Sequence, residues 1–576
     1  MKKIITFLLV LTMVFSMVAC GNAENNENAS NNVETPNASD ADNASDNAGE
    51  IKDVTLSVFV VTQGDLTSGI ADDPVAQLIK EKTGVTMDIV AYDADKHNAM
   101  VASGDLYDVT VIVGADSIAP LIKQEAVADL TNWIDQAPNA AQKTELLNYS
   151  KNYLSADTGN LYVLPLRVKD AEVPMASDQN GNFIRWDHYV EAGQPEINSN
   201  EDLLELLETI QKNHPTNDNG QKAYGVSCFV DWGTQLYTPL EKYVGELKLD
   251  GNYGSYDMNS LEFHSILDDE NMWVQNAQFL FDANQRGILD PEACTQKYED
   301  YVNKLNDGRV LSSMFEFASR DATNNLENAD QAGFVDIPYA DTAEFPAFVN
   351  RSVPFGYTQR LLVVSSKCDD EKMAAAMRLI DFIYSEDGAR SILNGPQGIV
   401  WDYDENGVAC FTDEALNAMA TDSGYLNSQA ASWHTGMVGY DFDAYDSNGR
   451  FLNLTMNADY IQSSMKDYEK EYCEFYGVDG PLEVLSTREN QATENKGITS
   501  FMPTEIPTDV SRIIASADQY LSKDLYNLVL SADQAAFDAK LEEIRDELVK
   551  MDYETVINWY KEAWENAIAS YNAVVG

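Results

Sequence analysis

The chain has 576 residues and a formal net charge of −56, with 94 acidic against 38 basic side chains. Only seven of the acids precede residue 51, so the charge belongs to the main body, and such a surface repels phosphate backbones and excludes nucleic acid as a partner. A solvated surface explains the acidity more simply than attraction of a cationic ligand does. The roughly 525 residues of the body are enough for two or more lobes.

The N-terminus has the pattern of an export signal. Lys2 and Lys3 are followed by an apolar run over 4–17 and by two small residues at 18–19. This run is short for a membrane-spanning helix, which needs roughly 20 apolar residues. The pattern therefore predicts a signal peptide over residues 1–19 that is removed.

Cys20 stands where this apolar run meets a polar stretch. The sequence SMVAC resembles the bacterial lipobox, in which a cysteine thiol receives a diacylglyceryl group, although Met17 replaces the usual leucine. Residues 21–50 contain nine asparagines and almost no apolar side chains, so they lack the material for a core. We expect a lipid anchor at Cys20, a disordered tether over 20–50 and a place on the outer face of the cell membrane. An ordinary signal peptide that contains a cysteine is the alternative.

The first part of the body alternates strands and helices. Residues 53–61 and 85–92 are strand-like, and 73–84 read as a helix that begins at Pro74 and ends at Gly84. A helix, a turn and a third apolar strand follow over 96–116, and 118–135 reads as helix material. This alternation predicts βαβ units and a parallel sheet.

A resemblance to a known family runs through nearly the whole body. The segments that carry it, in order, are MVASGDLYDVTVIVG, LIKQEAVADLTNWIDQAPN, GNLYVLPL, FIRWDHYVEAGQPEINSNEDLLELL, QRGILDPE, LNDGRVLSSMFEFAS, MRLIDFIYSEDGARSILNGPQGIVWDYDENG and FDAKLEEIRDELVKMDYETVINWYKEAW. They resemble the extracellular solute-binding lipoproteins of ABC importers, and among these the large oligosaccharide-binding type of Gram-positive bacteria. One departure is His188, which stands where that family usually has tryptophan.

The resemblance implies an α/β, two-lobed periplasmic-binding-protein-like (type II) fold with a ligand cleft between the lobes. It places lobe one at 51–166 and 353–405, and lobe two at 167–352 and 406–576. It further implies an oligosaccharide ligand, ABC permease subunits as membrane partners and import without chemical transformation. A peptide receptor of an ABC importer and a secreted glycan-degrading enzyme stay open as alternatives.

Motifs for catalysis or for a cofactor are lacking in the sequence. The five histidines are scattered, and neither a GxSxG elbow nor a Walker loop is present, so we expect no enzyme and no cofactor. Residues 402–413 carry Asp402, Asp404 and Asn406 near calcium-loop spacing, but an Asn-Gly turn between two strands explains them better. In relatives a calcium loop often precedes a Tyr-Gly strand; here, in 214–225, His214, Lys222 and Ala223 stand where carboxylates would be expected. We expect no metal.

Sugar recognition combines aromatic faces with hydrogen-bonding side chains. Trp232 and Trp433 lie in polar loops and are candidate ligand contacts, whereas Trp133, Trp273, Trp559 and Trp564 are expected to pack in the core. Further candidates follow strands or lie beside a presumed lobe crossing: Asp116, Glu316, Tyr357 and Arg360. A structural role is the alternative for each. Pairing among the body cysteines is left open for Cys228, Cys294, Cys368, Cys410 and Cys473.

Overall fold

The strands of the first βαβ unit form where the sequence predicts them, and local signals fix the helix between them. Asp73 caps that helix by accepting from the backbone N–H groups of Val75 and Ala76, with Pro74 in the first turn. Gly84 ends it at a φ of 72°, where its N–H donates to the Lys80 carbonyl. The capped helix returns the chain to the sheet, so the next strand pairs in parallel with the first.

The computed structural model of the protein describes residues 52–61, 67–174, 180–232, 236–243, 246–249, 253–343, 346–422, 424–431, 433, 436–503 and 506–575. The predicted signal peptide, the tether and Cys20 lie outside the described residues. The strands are β1 (Val54–Val60), β2 (Gly69–Ile70), β3 (Val85–Ala91), β4 (Val109–Ile112), β5 (Leu164–Pro165), β6 (Lys169–Pro174), β7 (Asn180–Arg185), β8 (Glu246–Leu249), β9 (Gly254–Asp257), β10 (Phe263–His264), β11 (Ser312–Phe315), β12 (Phe334–Asp336), β13 (Ala347–Val353), β14 (Leu361–Val364), β15 (Trp401–Tyr403), β16 (Ala409–Phe411) and β17 (Gln491–Asn495).

Helices surround these strands. They are α1 (Pro74–Thr83), α2 (Ala94–Ser103), α3 (Ile118–Lys123), α4 (Pro138–Ala141), α5 (Thr144–Tyr153), α6 (Trp186–Glu191), α7 (Asn200–Asn213), α8 (Met272–Gln285), α9 (Tyr298–Asn306), α10 (Glu316–Asn324), α11 (Asp370–Ile383), α12 (Glu386–Asn394), α13 (Asp413–Met419), α14 (Tyr425–Gln429), α15 (Ala458–Ser464), α16 (Asp467–Tyr476), α17 (Lys496–Thr499), α18 (Thr508–Val529), α19 (Gln534–Lys550) and α20 (Tyr553–Val575). Among the described residues we find no helix with the length and hydrophobicity needed to cross a bilayer.

The first lobe is built on a six-stranded sheet in the order β2-β3-β1-β4-β14-β5. β1 pairs in parallel with β3 and β4, and β14 pairs antiparallel with β4 and β5. Helix material predicted over 118–135 is α-helical only in α3, with a short 3-10 helix at Ile134–Gln136, because Ala128 N–H bonds to Val364 O and Val127 bridges to Ser365 at the end of β14. Apolar side chains of 126–130 are buried in this extended arrangement as well as a helix would bury them.

The second lobe has its own core. β7 lies between β11 and β12 in an antiparallel sheet, and helices α7, α8, α18 and α19 contribute buried side chains to one hydrophobic cluster. The three-stranded sheet β10-β9-β8 packs beside α8. Trp273 is 3% exposed in this core, as predicted.

Chain segments that connect the lobes lie side by side. β13 pairs antiparallel with β6 and in parallel with β17, so three crossings form one small sheet. Helix α20 contacts both cores: Tyr553 and Tyr560 pack in the second lobe, while Trp564 packs with Phe59 and Leu361 of the first-lobe sheet. Closure of the lobes therefore has to be accommodated at these crossings.

Lobe boundaries differ from the predicted ones at the C-terminal side. Buried apolar residues of a segment predicted in lobe two share a hydrophobic cluster with β1 and α11 and so belong to the first-lobe core: Ala431, Trp433, Met437, Val438, Tyr440, Ala444 and Leu452. Residues 402–413 form the hairpin of β15 and β16, with Asp404 Oδ1 accepting from the N–H groups of Asn406 and Val408, which confirms the predicted turn. The cysteines that the sequence left open are free thiols: Cys228, Cys294, Cys368, Cys410 and Cys473.

The family departure at His188 has a partner in the structure. The His188 ring stacks on His214 with centroids 3.8 Å apart, and His214 Nε2 lies 2.8 Å from a Glu191 carboxylate oxygen. Burial, and then the nearby Arg185 guanidinium, lower the pKa of His188 to about 3, while Asp187 opposes this. His214 stands in the 214–225 loop at a place where relatives have a carboxylate. The two departures from the family pattern, His188 and His214, therefore contact each other.

Acid is expected to destabilise the protein through His188. Because its pKa in the folded chain lies below the unfolded value of about 6.5, the unfolded chain binds the proton first as the pH falls. The free energy of unfolding should therefore decrease below pH 6.5, by up to about 1.4 kcal/mol per pH unit from this group, until the pH approaches the folded value.

Denaturant unfolding at pH 7.5 and pH 5 measures this effect in the wild type and in His188→Gln. The variant lacks the titrating imidazole, so its loss of stability between the two pH values should be smaller. Equal losses in both proteins would show that His188 does not carry the effect.

Candidate ligand-binding cleft

Three predicted residues lie together at the carboxyl edge of the first-lobe sheet. After β4, Gly114 adopts a φ of 87° and its N–H donates to Thr358 O at 3.2 Å, so the turn with Asp116 contacts the loop with Tyr357 and Arg360. The positive φ favours glycine at position 114, because an L side chain is strained in this conformation. Ligands of open α/β sheets bind outside this edge.

Tyr357 is held by an ion pair that the sequence did not reveal. Its hydroxyl donates to Asp441 Oδ2 at 3.0 Å, and Arg167 donates to Asp441 Oδ1 from Nε at 2.9 Å and Nη2 at 2.6 Å. The Arg167 guanidinium also lies 4.7 Å from the Tyr357 ring centroid and 4.4 Å from that of Phe442. The position of Arg167 directly after the segment GNLYVLPL, which carries the family resemblance, was the available signal for Arg167; Asp441, 274 residues away, gave none.

Arg360 lies half-buried beside this ion pair. Burial, and then the charge of Arg167, lower the pKa of its guanidinium. Its Nη1 donates to Gln359 O at 2.8 Å, whereas its Nε is buried and finds no hydrogen-bond acceptor among the described residues. Protein atoms cover this Nε, so only the terminal N–H groups of the guanidinium are placed to donate to a ligand.

Trp232 belongs to an aromatic surface on the second lobe. Its indole is 43% exposed and lies 4.3 Å from Tyr298, 6.4 Å from Phe317 and 4.9 Å from the buried Phe229, centroid to centroid. Asp231 Oδ1 accepts from the Tyr298 N–H at 2.9 Å and so ties the Trp232 loop to the start of α9. Gly233, which follows Trp232, lies outside the described residues.

Glu316 adjoins this aromatic surface. It is the first residue of α10, between Phe315 and Phe317, whose rings lie 5.7 and 6.4 Å from Trp232. Arg320 Nη1 lies 3.0 Å from both carboxylate oxygens of Glu316. Burial raises the pKa of Glu316, and Arg320 opposes the shift. The structure thus brings together two predicted residues, Trp232 and Glu316, on the second lobe.

Trp433 does not share this exposed position. Its side chain is 0% exposed in the first-lobe core, and Nε1 donates to Asp73 Oδ2, the carboxylate that caps α1, at 3.2 Å. A Cβ on the nearby Gly436 would lie 2.2 Å from Val61 O, so the loop packs tightly on the end of β1. The prediction that Trp433 offers a face to ligand is corrected, because protein atoms cover its ring.

The part of the chain that the structure describes contains no cluster of side chains suited to bind a metal ion. Among the described residues, no three histidine, cysteine, aspartate or glutamate side chains are grouped so as to hold an ion. In the loop that resembles a lost calcium site, Asn217 Oδ1 accepts from the N–H groups of Asn219 and Gln221 and forms a local turn.

Comparison with known proteins relates this architecture to a family. The chain is 22% identical over 306 residues to the fructooligosaccharide ABC transporter substrate-binding protein FusA of Streptococcus pneumoniae, a match that covers 51% of this chain. The match spans 54% of FusA, about half the length of that relative.

Solved structures match over a larger share of the chain. A human-milk-oligosaccharide (HMO) binding ABC-transporter associated protein of Bifidobacterium longum infantis has a TM-score of 0.58 at 16% identity, covering 90% of this chain and 99% of its own. The structure of FusA with fructo-nystose has a TM-score of 0.58 at 16% identity and covers 90% of this chain and 100% of its own. The alginate-binding protein AlgQ2 has a TM-score of 0.56 at 17% identity and covers 89% of this chain and 98% of its own. These likenesses show the two-lobed α/β fold.

The family model for bacterial extracellular solute-binding proteins matches residues 75–400, more than half of the chain. This segment includes the first-lobe sheet apart from β1 and β2, the crossings β6 and β13, and the aromatic surface of the second lobe. The chain therefore belongs to the bacterial extracellular solute-binding protein family.

Proposed function

We propose that this chain is the substrate-binding lipoprotein of an ABC importer and captures an oligosaccharide between its two lobes. The observation that carries the proposal is the half-exposed indole of Trp232 on the aromatic surface with Tyr298 and Phe317. An aromatic face left in water suits the apolar face of a pyranose or furanose ring. FusA, named for fructooligosaccharides, supports the same ligand class.

The first lobe supplies the polar half of the site in this proposal. Asp116 is exposed and can accept hydrogen bonds from sugar hydroxyls, and the half-buried Arg360 can donate to them from its terminal guanidinium N–H groups. Tyr357 is held in place by Asp441. Rotation about the crossings β6, β13 and β17 would close these groups over a sugar that stacks on Trp232.

Binding without hydrolysis fits the carboxylates of the proposed cleft. Glycoside hydrolysis needs two carboxyl groups on opposite sides of one bond. Glu316 is paired with Arg320, and Asp441 with Arg167 and Tyr357, so each of these two already has a fixed partner. We therefore propose capture and delivery of an unmodified sugar to ABC permease subunits.

Attachment to the membrane is proposed at Cys20. The support is the sequence alone: the apolar run ends at Cys20, and residues 21–50 are polar and rich in asparagine. A lipid at this position and a polar spacer after it would hold the folded body close to the permease, at the extracellular side that the family implies.

Trp232→Ala should weaken sugar binding while leaving the fold intact. A stacking contact contributes on the order of 1 to 3 kcal/mol, so the Kd for a glycan selected on a glycan array should rise about 5- to 150-fold. Calorimetric titration of that glycan measures the change. Trp232→Phe is the conservative comparison and should lose less affinity.

Trp433→Ala is the matched control in the first-lobe core. Removal of a fully buried indole costs roughly 3 to 5 kcal/mol of stability, whereas Trp232→Ala should cost well under half of that. Denaturant unfolding of both variants tests the contrast. The proposal for Trp232 fails if its alanine variant unfolds as easily as that of Trp433 while its folded fraction binds the glycan normally, or if the wild type binds no glycan on the array.

Cys20→Ser should release the protein from the membrane fraction, because the lipid-accepting thiol is lost. Cell fractionation followed by immunodetection measures the distribution, and Cys410→Ser, a free thiol of the β15–β16 hairpin, is the matched control that should stay membrane-bound. Retention of the Cys20→Ser protein in the membrane fraction would contradict the anchor.

A further inference from the structure

A second place on the first lobe has the size of a ligand site. It is a cavity of about 810 Å³, within the range typical of small-molecule sites. Its walls come from the start of α5, the start of α12, the β15–β16 hairpin and residues 440–447, and include Lys143, Glu386, Asp387, Tyr403 and Tyr440. The cavity lining includes none of the proposed cleft residues: Asp116, Trp232, Glu316, Tyr357 and Arg360.

Acidic side chains outnumber basic ones in the cavity lining. The Lys143 ammonium lies 4.3 Å from the centroid of the Tyr440 ring, so this chain's own cation already occupies that aromatic face. Arg390 donates to Asp387 at 2.9 Å, Ser447 donates to Glu386 from its N–H at 2.8 Å and its hydroxyl at 3.2 Å, and the exposed Glu145 also lies in the lining. These carboxylate oxygens can accept further hydrogen bonds from the hydroxyl groups of a ligand.

Tyr403 gives the cavity an exposed aromatic face. Its side chain is 40% exposed, and the buried Arg390 lies 5.6 Å from its ring centroid. The Tyr403 hydroxyl donates to Asp387, which fixes the ring at the cavity wall. The remaining acceptor capacity of the carboxylates, together with the amide of the exposed Gln142, surrounds this ring with hydrogen-bonding groups.

We propose that this cavity is a second binding site, for a short neutral saccharide. An aromatic ring edged by carboxylate and amide groups matches the apolar face and the hydroxyl groups of a sugar. The site is separate from the proposed cleft, and its occupancy does not depend on Trp232.

The second site nevertheless lies next to the crossing between the lobes. Tyr384 in the cavity lining donates from its hydroxyl to Pro165 O at 2.6 Å, at the end of β5. Tyr440 directly precedes Asp441, the residue that accepts from Arg167 and Tyr357. A test must therefore separate the two sites with variants that each affect one.

Saturation-transfer-difference NMR on the purified full-length protein tests the proposal, with glucose, sucrose and raffinose as the probes. In Trp232→Ala, with the cleft platform removed, at least one probe should still receive saturation. Adding Tyr403→Ala to that protein should reduce the signal at least fivefold, whereas Tyr403→Phe, which keeps the ring, should retain most of it.

A second variant tests the cavity independently, in case Tyr403→Ala misfolds. Gln142→Trp places a large side chain at the cavity from an exposed position, and it should abolish the same signal without loss of the folded state. The proposal is overturned if no probe is bound by the wild type, if Trp232→Ala alone removes all signal, or if neither cavity variant changes it. Loss of cleft affinity in Trp232→Ala reports on the proposed function independently.

Discussion

The lobe crossing at residues 166–169 depends on one buried and one partly buried ion pair. Arg167 pairs with Asp441 at 2.6 Å and Lys169 with Asp443 at 2.7 Å, and backbone hydrogen bonds from Arg167 and Val168 to residues 438 and 439 run alongside them. Removal of one partner of a buried pair leaves an uncompensated charge and is strongly destabilising, which fixes this register. Because Asp441 also holds Tyr357, the same interaction orients part of the proposed cleft.

This constraint explains why distant parts of the chain form one functional region. Residues 431–452 come from far along the sequence, yet they pack in the first-lobe core and supply the acids of both ion pairs. The crossings β6, β13 and β17 follow this ion-paired segment and pair with one another in one sheet. A hinge that is fixed at one end and paired along its length allows the lobes to rotate as units, which is how closure around a ligand proceeds in two-lobed binding proteins.

Local signals in the sequence predicted what is local in the structure. Pro74 and Gly84 predicted the bounds of α1, because helix ends depend on neighbouring residues. Asp116, Tyr357 and Arg360 were found from their positions after strands or beside the crossing, and the structure brings them to one edge. The position of Trp433 in a polar loop predicted an exposed ring, and this was wrong. Whether the ring is covered depends on β1 and α1, which lie more than 300 residues away in the sequence.

Long-range pairing accounts for the other misses. Asp441 and the aromatic partners of Trp232 could not be selected from the sequence, because an acid among 94 or a phenylalanine in a strand carries no mark of its distant contact. The helical pattern over 118–135 was overridden by pairing with β14.

The most direct test of the account is a crystal structure of the protein with an array-selected oligosaccharide. The account predicts a sugar ring stacked on Trp232, with sugar hydroxyls hydrogen-bonded to Asp116 and Arg360. A sugar bound without contact to Trp232, Asp116 or Arg360 would contradict it.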